Sequence, residues 1–515
     1  MSEAPVEGGG AAREQRLHPW SWLFVLLQQL RQFIVPLLVL LFAGRRGASD
    51  GWVTLAPLLG VGVLVVVSIL QYFTFRYRIG SDAITLRSGL LQRSWREIPF
   101  ARIHNVGLHQ SLLHRVFGVA EVRLESAGGD KPEAQLRVLG LQDALALERL
   151  VRHRGAAGGD ASTDGTPADV GTGPGEDTLL ALPTAEVLRL GLVSNRGMIV
   201  IAAAFGLFWQ LLPNERMATR MATRMARDSY DQVAGYAGSL HLGWIGLAST
   251  ALLAVAVFIV LLRLLSVALA LAQYHGFRLS QAQDRLTVER GLFARMRSSV
   301  ARRRIQAWHL QETLLHRWLK RRTLRIDTAT GGREDDPRKL RELAPIATPQ
   351  ACQALAARLL PAGTAWPPAQ WQPLPRRVWW RVFAGTVPWN LLLAAVLTGY
   401  FGPPGLLVLL WLPWSAYAAW RQAGYMAWAV DDRLVAVRGG WWSRWWRFAE
   451  VDKLQALRLQ RSPLDRWLGT ATLWLDTAGA GAMAPPLRIR FLPEAQARAL
   501  LADLGATLAR RRLRW

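Results

Sequence analysis

Cysteine is all but missing from this chain. Cys352 is the single thiol in 515 residues, which excludes an intrachain disulfide framework and gives redox chemistry nothing to work with. Acidic residues are also scarce, with 37 Asp and Glu against 62 Lys and Arg. They are nearly absent from the apolar runs, where ion- or proton-coupled transport commonly places them. Catalytic signatures are missing too: there is no GxSxG, HExxH, Walker loop or dinucleotide fingerprint. Gly8-Gly9-Gly10 and Gly331-Gly332 lack the flanking strand and helix that a phosphate loop needs. These absences argue for a non-enzymatic chain with no cofactor and no metal.

Long hydrophobic runs, by contrast, are plentiful. Half the chain is hydrophobic while its formal net charge is +25, the combination expected of a membrane protein with basic flanking domains. Six apolar stretches, at about 22–43, 52–74, 196–213, 241–272, 382–401 and 403–420, approach the roughly 20 residues that cross a bilayer. Arg31 and Arg263 are the two charges inside them. Arg31 suggests that residues 20–31 lie at the interface, and Arg263 that the fourth stretch extends beyond the membrane. The stretch before Arg31 lacks a cleavable-signal pattern and reads as an anchor. Many of the 24 tryptophans flank these stretches, as indole prefers the interface.

Taken as hairpins, the six stretches leave the intervening segments on one side. Lys and Arg outnumber Asp and Glu by 13 to 8 over 75–154, 18 to 8 over 273–360 and 16 to 8 over 421–515. The positive-inside bias then assigns all three to the cytoplasm.

The same segment occurs three times: RIHNVGLHQSLLHRVFG from Arg102, RIQAWHLQETLLHRWLK from Arg304 and KLQALRLQRSPLDRWLG from Lys453. In register stand Ile103, Ile305 and Leu454; then Leu113, Leu315 and Leu464; then Arg115, Arg317 and Arg466. A glycine precedes each copy at the same distance: Gly89, Gly291, Gly440. This is one module used three times. Period-two alternation around each glycine predicts hairpins, a further strand follows (Val119–Ser126, Thr323–Thr328, Ala471–Thr477), and a helix closes each module (Leu141–Arg152, Pro349–Leu360, Pro493–Arg512).

These features resemble the bacterial membrane-flanked domain family, whose soluble part is a bacterial pleckstrin-homology (PH)-like fold. The turns Arg87-Ser88-Gly89-Leu90-Leu91 and Glu289-Arg290-Gly291-Leu292-Phe293 carry the resemblance, with the runs Arg102–Arg115 and Arg304–Arg317 and the pre-membrane stretch Gly191–Asn195. The chain is similar to the large triple-domain members over nearly its whole length. The third copy departs most, with Trp441-Trp442 for Leu-Leu and Lys453-Leu454 for Arg-Ile. The resemblance implies architecture but no biochemical activity.

The expected fold is therefore a multi-domain α+β membrane protein. It has six transmembrane helices in three hairpins and three PH-like β-sandwich or barrel domains, each closed by a C-terminal helix. The parts are a tail (1–19), a first hairpin (20–74), a first domain (75–154) and a flexible linker (155–181). A second hairpin with its pre-membrane segment (182–272) leads to the second domain (273–361). A Pro/Trp-rich linker (362–378), a third hairpin (379–420) and a third domain (421–515) complete it.

Two basic triplets, Arg302-Arg303-Arg304 and Lys320-Arg321-Arg322, are candidates for contact with anionic lipid headgroups or a partner; a generic positive flank is the plainer alternative. Nucleic acid is not expected, because no reading motif accompanies the charge. His104, His109, His114, His309 and His316 recur at five- or seven-residue spacing, which does not group ligands on one helical face. The aligned arginines suit a requirement of the fold. The expected role is a scaffold or binding protein holding lipid, peptide or protein partners at the inner face. A transporter or export component with a passage through six helices is the alternative.

Overall fold

The computed structural model describes residues 15–16, 19–27, 51–80, 83–89, 93–100, 103, 105–125, 134–156 and 177–211, scattered positions between 223 and 235, and then 243–329, 340–375, 377–478 and 486–510. Most of the first expected apolar stretch, Arg31 included, and His104 lie outside these residues.

Module one comprises β1 (Gln15–Arg16), α1 (Gly51–Thr74), β2 (Arg76–Ile79), β3 (Ala83–Ser88), β4 (Ser94–Pro99), β5 (Asn105–Gln110), α2 (Leu112–Val116), β6 (Val119–Glu125), β7 (Ala134–Gly140) and α3 (Leu141–Ala156). Module two repeats the order: β8 (Asp177–Ala181), α4 (Thr184–Val193), α5 (Arg196–Leu211), α6 (Gly243–Tyr274), β9 (Arg278–Ala282), β10 (Arg285–Arg290), β11 (Arg295–Ala301), β12 (Ile305–Glu312), α7 (Leu314–Trp318), β13 (Arg322–Thr328), β14 (Glu342–Ala347) and α8 (Pro349–Leu359). Module three has β15 (Gln372–Pro373), α9 (Val378–Ala384), α10 (Val387–Phe401), α11 (Trp411–Tyr425), β16 (Ala427–Val430), β17 (Leu434–Gly439), β18 (Arg444–Glu450), β19 (Leu454–Gln460), α12 (Pro463–Leu468), β20 (Thr470–Thr477), β21 (Arg488–Pro493) and α13 (Glu494–Ala509).

The strands alternate as the sequence predicts. In β20, Ala471, Leu473, Leu475 and Thr477 are buried, while Thr470, Thr472 and Trp474 are half-buried and Asp476 is exposed. Each closing helix lays one apolar face on its module: Ala144, Leu147 and Val151 in α3, Cys352, Leu355 and Leu359 in α8, and Ala497 and Leu504 in α13. Burying such side chains contributes roughly 1.5–3 kcal/mol each for the larger ones.

The sheets do not respect the module boundaries. A four-stranded sheet β1-β2-β3-β4 opens the chain and a three-stranded sheet β19-β20-β21 ends it. Between them lie two seven-stranded sheets, β7-β6-β5-β11-β10-β9-β8 and β14-β13-β12-β18-β17-β16-β15. The second half of each module is thus continuous with the first half of the next, through antiparallel seams β5·β11 and β12·β18. The three domains drawn from sequence are successive in the chain but share sheets in space.

The linkers are also partly structural. Asp177–Ala181, expected to be flexible, pairs with β9 as β8, and Gln372–Pro373 pairs with β16 as β15. Trp366, in the expected Pro/Trp-rich linker, is buried and stacks on Phe448 with ring centroids 3.6 Å apart.

Among the described residues, two helices are long and apolar enough to cross a membrane, Ala248–Tyr274 and Val378–Phe401, or three if the bent pair α4 and α5 counts as one span. Six spans are not seen among the described residues. The sixth expected stretch is not one α-helix: Pro403–Leu410 is 3-10 before α11 begins. Arg263 is hydrogen-bonded locally, donating to the carbonyls of Leu192 and Ser194 and to Asn195 Oδ1. It thereby caps the C-terminus of α4, where free carbonyls and the helix dipole favour a cation.

Helix α4 lies against α6 at Gly191, where a Cβ would fall 2.4 Å from Val267 Cα. Backbone cannot yield as a side-chain tip does, so Gly191→Val should cost about 1–3 kcal/mol. The cost should appear as a lowered unfolding midpoint of the full chain in detergent; an unchanged midpoint would contradict this packing.

Candidate membrane-facing site

The repeated glycine turns require glycine. Gly89, Gly291 and Gly440 have φ of 111°, 115° and 82°. A Cβ on Gly291 or Gly440 would sit 1.9 Å from the carbonyl oxygen of Ala294 or Ser443. In module two the turn is fixed to the end of the apolar helix α6: Gly291 N–H donates to His275 O at 2.9 Å, and Leu292 N–H to Ala272 O at 3.0 Å. Leu292 and Phe293 are left exposed beside that helix end. In module three the corresponding Trp441 packs against Trp414 and Tyr417 of α11, with centroids 6.0 and 5.5 Å away. Indole at such a helix end suits the membrane interface.

The short helices α2 and α7 sit at the same end, because their aligned arginines tie each to the next module's turn; α12 is their counterpart in module three. Arg115 Nη1 donates to Leu292 O at 2.9 Å, and Arg317 Nη1 to Trp441 O at 3.5 Å. The fold requirement behind these arginines is a staple between modules. Each short helix exposes apolar side chains: Leu112, Leu113 and Val116; Leu314 and Trp318; Leu464, Trp467 and Leu468. Trp318 and Trp467 are each 82% exposed. Leu113 and Leu464 thus belong to the rim, whereas Ile103, Ile305 and Leu454 are buried in the cores.

Two of the repeated histidines, His114 and His316, are held by the same helices. The Ser111 hydroxyl hydrogen-bonds His114 Nδ1 at 2.6 Å, and Thr313 does so with His316 at 2.8 Å. Asp465 takes that position in module three, closing a capping box with Ser462. Burial raises the Asp465 carboxyl, but hydrogen bonds from the Ser462 hydroxyl and amide, Arg381 and Thr470 outweigh it and hold the group at about 2. Among the described residues no metal-holding cluster of His, Cys, Asp and Glu forms.

The two basic triplets lie at opposite ends of the β12·β13 ladder, since Ile305 pairs with Thr328 and Gln311 with Thr323. At about 3.4 Å per residue they are roughly 20 Å apart. Arg302–Arg304 stand at the end away from α7: Arg302 caps α8 through the carbonyls of Leu359 and Leu360, and Arg304 reaches Ala329 O. Lys320–Arg322 follow α7 on the rim side. There Arg321 holds Glu186 with two bonds, at 2.7 and 2.9 Å, and lowers its carboxyl. Arg322 pairs with Glu312 at 2.7 Å and lies over Trp446. Arg303 and Lys320 remain exposed.

A threefold module, each copy presenting a glycine turn and a short apolar helix beside a hydrophobic anchor, can now be set against known proteins. A family model described as "Bacterial PH domain" matches residues 25–155, 237–362 and 382–507. The chain belongs to the bacterial PH domain family. Its repeats are of the kind the sequence resemblance implied, and each match takes in apolar segment as well as strands. Among curated proteins it is similar to the UPF0699 transmembrane protein YdbT of Bacillus subtilis (strain 168), with 25% identity over 439 residues, 82% of this chain and 84% of that one. No solved structure matches. This is a membrane protein with repeated bacterial PH domains of the YdbT kind.

Proposed function

We propose that the chain is a non-enzymatic scaffold of the bacterial inner membrane. Its apolar segments act as six anchors, and its three PH-like modules lie in the cytoplasm, held against the bilayer. There they engage anionic headgroups and present peptide or protein partners with a common platform. The observation that carries this reading is the repeated rim: Val116 is exposed beside the turn at the end of α6, Trp318 beside the turn packed on α11, and Trp467 at the same position of the third copy. An aromatic at that depth partitions to the interface, and Lys320 beside it adds about 1 kcal/mol of attraction to an anionic surface. Only 6% of the apolar window is buried in each of the two candidate spans, which favours lipid-facing anchors over the walls of a passage within one chain.

Geometry supplies an internal control. In full-length protein, Lys320→Gln should weaken retention of phosphatidylglycerol about fivefold, the equivalent of about 1 kcal/mol. Arg303→Gln, at the far end of the ladder, should leave it unchanged. Native mass spectrometry of lipid retained after detergent exchange measures both. Equal retention by Lys320→Gln and wild type would refute headgroup contact at the rim.

A further inference from the structure

Among the described residues, β4 and β19 are both edge strands, and they are the two halves of the seam that joins the modules. Strand β4 is the first-module counterpart of β11 and β18; β19 is the third-module counterpart of β5 and β12. Both internal seams use one register: Arg297 lies opposite Leu108, and Trp446 opposite Leu310. Aligned on Gly89, Gly291 and Gly440, the residue matching Arg297 and Trp446 is Trp95, and the residue matching Leu108 and Leu310 is Leu459. We propose that β19 of one chain pairs antiparallel with β4 of a second copy, Leu459 opposite Trp95, so that the head-to-tail seam inside the molecule continues between molecules.

The side chains support this occupant. Trp446, in the internal seam, is 8% exposed, whereas Trp95 is 76% exposed. Residues Ser94–Glu97 are all exposed, while the matching stretch of β11 descends into the core. Strand β19 is likewise exposed or half-buried beyond Leu454, where β12 is almost wholly buried. The ion pair of the internal seam has its equivalents as well. Arg447 pairs across modules with Asp327; the aligned Arg96 is exposed on β4, and the aligned Asp476 is exposed on β20, one strand in from the edge of β19. Arg466, aligned with the staples Arg115 and Arg317, has no side-chain partner among the described residues. One position is less favourable: Arg458 replaces His309 and brings a second guanidinium beside Arg96, which makes this seam weaker than the internal ones. An open, flat edge invites pairing, and charged side chains temper it. The contact uses two different surfaces, so it is heterologous and builds closed rings or open arcs of chains lying in one membrane.

The test is an intermolecular disulfide between two full-length variants, Trp95→Cys and Leu459→Cys, co-reconstituted at equal amounts. Directly opposed Cβ atoms come within reach of such a bond. Native Cys352 can stay, since it is fully buried. Oxidation should give a species of twice the 57.3 kDa chain mass in the mixture only, and should not do so when Leu457→Cys replaces Leu459→Cys. Unsubstituted protein should run above single-chain mass at micromolar concentration in mass photometry. Linkage of Trp95→Cys to itself, or a wild type that stays a single chain while the mixture fails to link, overturns the proposal.

Discussion

Arg447→Ala should destabilise the chain by about 3–5 kcal/mol, the cost of leaving one member of a buried ion pair alone. Arg447 has no exposed surface, and its guanidinium crosses the seam between modules two and three to the carboxylate of Asp327. Nothing else described bonds its Nε or Nη1. The arginine therefore has a single strong partner, and that partner, 16% exposed, cannot rehydrate freely once the cation is gone. Two readouts separate a seam effect from general loosening. Amide hydrogen exchange should accelerate first in β12 and β18, where Trp308 to Glu312 pair with Phe448 to Arg444. The double variant Arg447→Met/Asp327→Asn should recover most of the loss, because neither residue is then a buried charge. A loss below about 1 kcal/mol for Arg447→Ala would mean that the pair is solvated and the seam open.

Much of this architecture was legible in the sequence because it is local. Alternation around Gly291 specifies a hairpin, and the 1.9 Å approach to Ala294 O explains why no other residue stands there. The closing helices were equally plain, since Leu504 and its neighbours recur at helical spacing and are indeed the buried face of α13. The partners of strand edges were not legible. β11 alternates identically whether its free edge meets β12 or β5, and backbone hydrogen bonds carry no side-chain signature. Only the aligned Arg115 and Arg317, read as a fold requirement, pointed toward the seams they staple.

The basic triplets show a second limit. Arg302-Arg303-Arg304 is one of the densest basic runs in the chain, yet two of its three side chains cap carbonyls far from the rim. A charge run in sequence gives no direction in space, and an arginine satisfies buried carbonyls as readily as phosphates. Trp366 is the opposite case, a linker aromatic that became core by stacking on Phe448.

Acid should open the same seam. His309 lies on β12 opposite Arg447, and burial, aided by Arg447 and Arg325, pushes its imidazole down to about 3. Burial also dominates at His316, held at about 4, where Arg325 adds to the depression and Glu312 opposes it. Both groups are therefore neutral in the fold and titrate near 6.5 once unfolded. Stability from neutral burial is complete above pH 6.5 and is lost as pH falls toward the folded values, because the unfolded chain binds the extra protons. At pH 5 each histidine should cost about 2 kcal/mol, roughly 4 kcal/mol together. Asp465, held at about 2, loses its contribution only below pH 4 and does not blur that window. Glu450, raised by burial, acts in the opposite sense and trims the loss slightly. Unfolding midpoints of the full chain in detergent, measured from pH 7.5 to 5, should fall steeply, and His309→Phe should remove about half the slope. A flat profile over that range would show that water reaches both rings and that the seam between modules two and three is not the dry interface described.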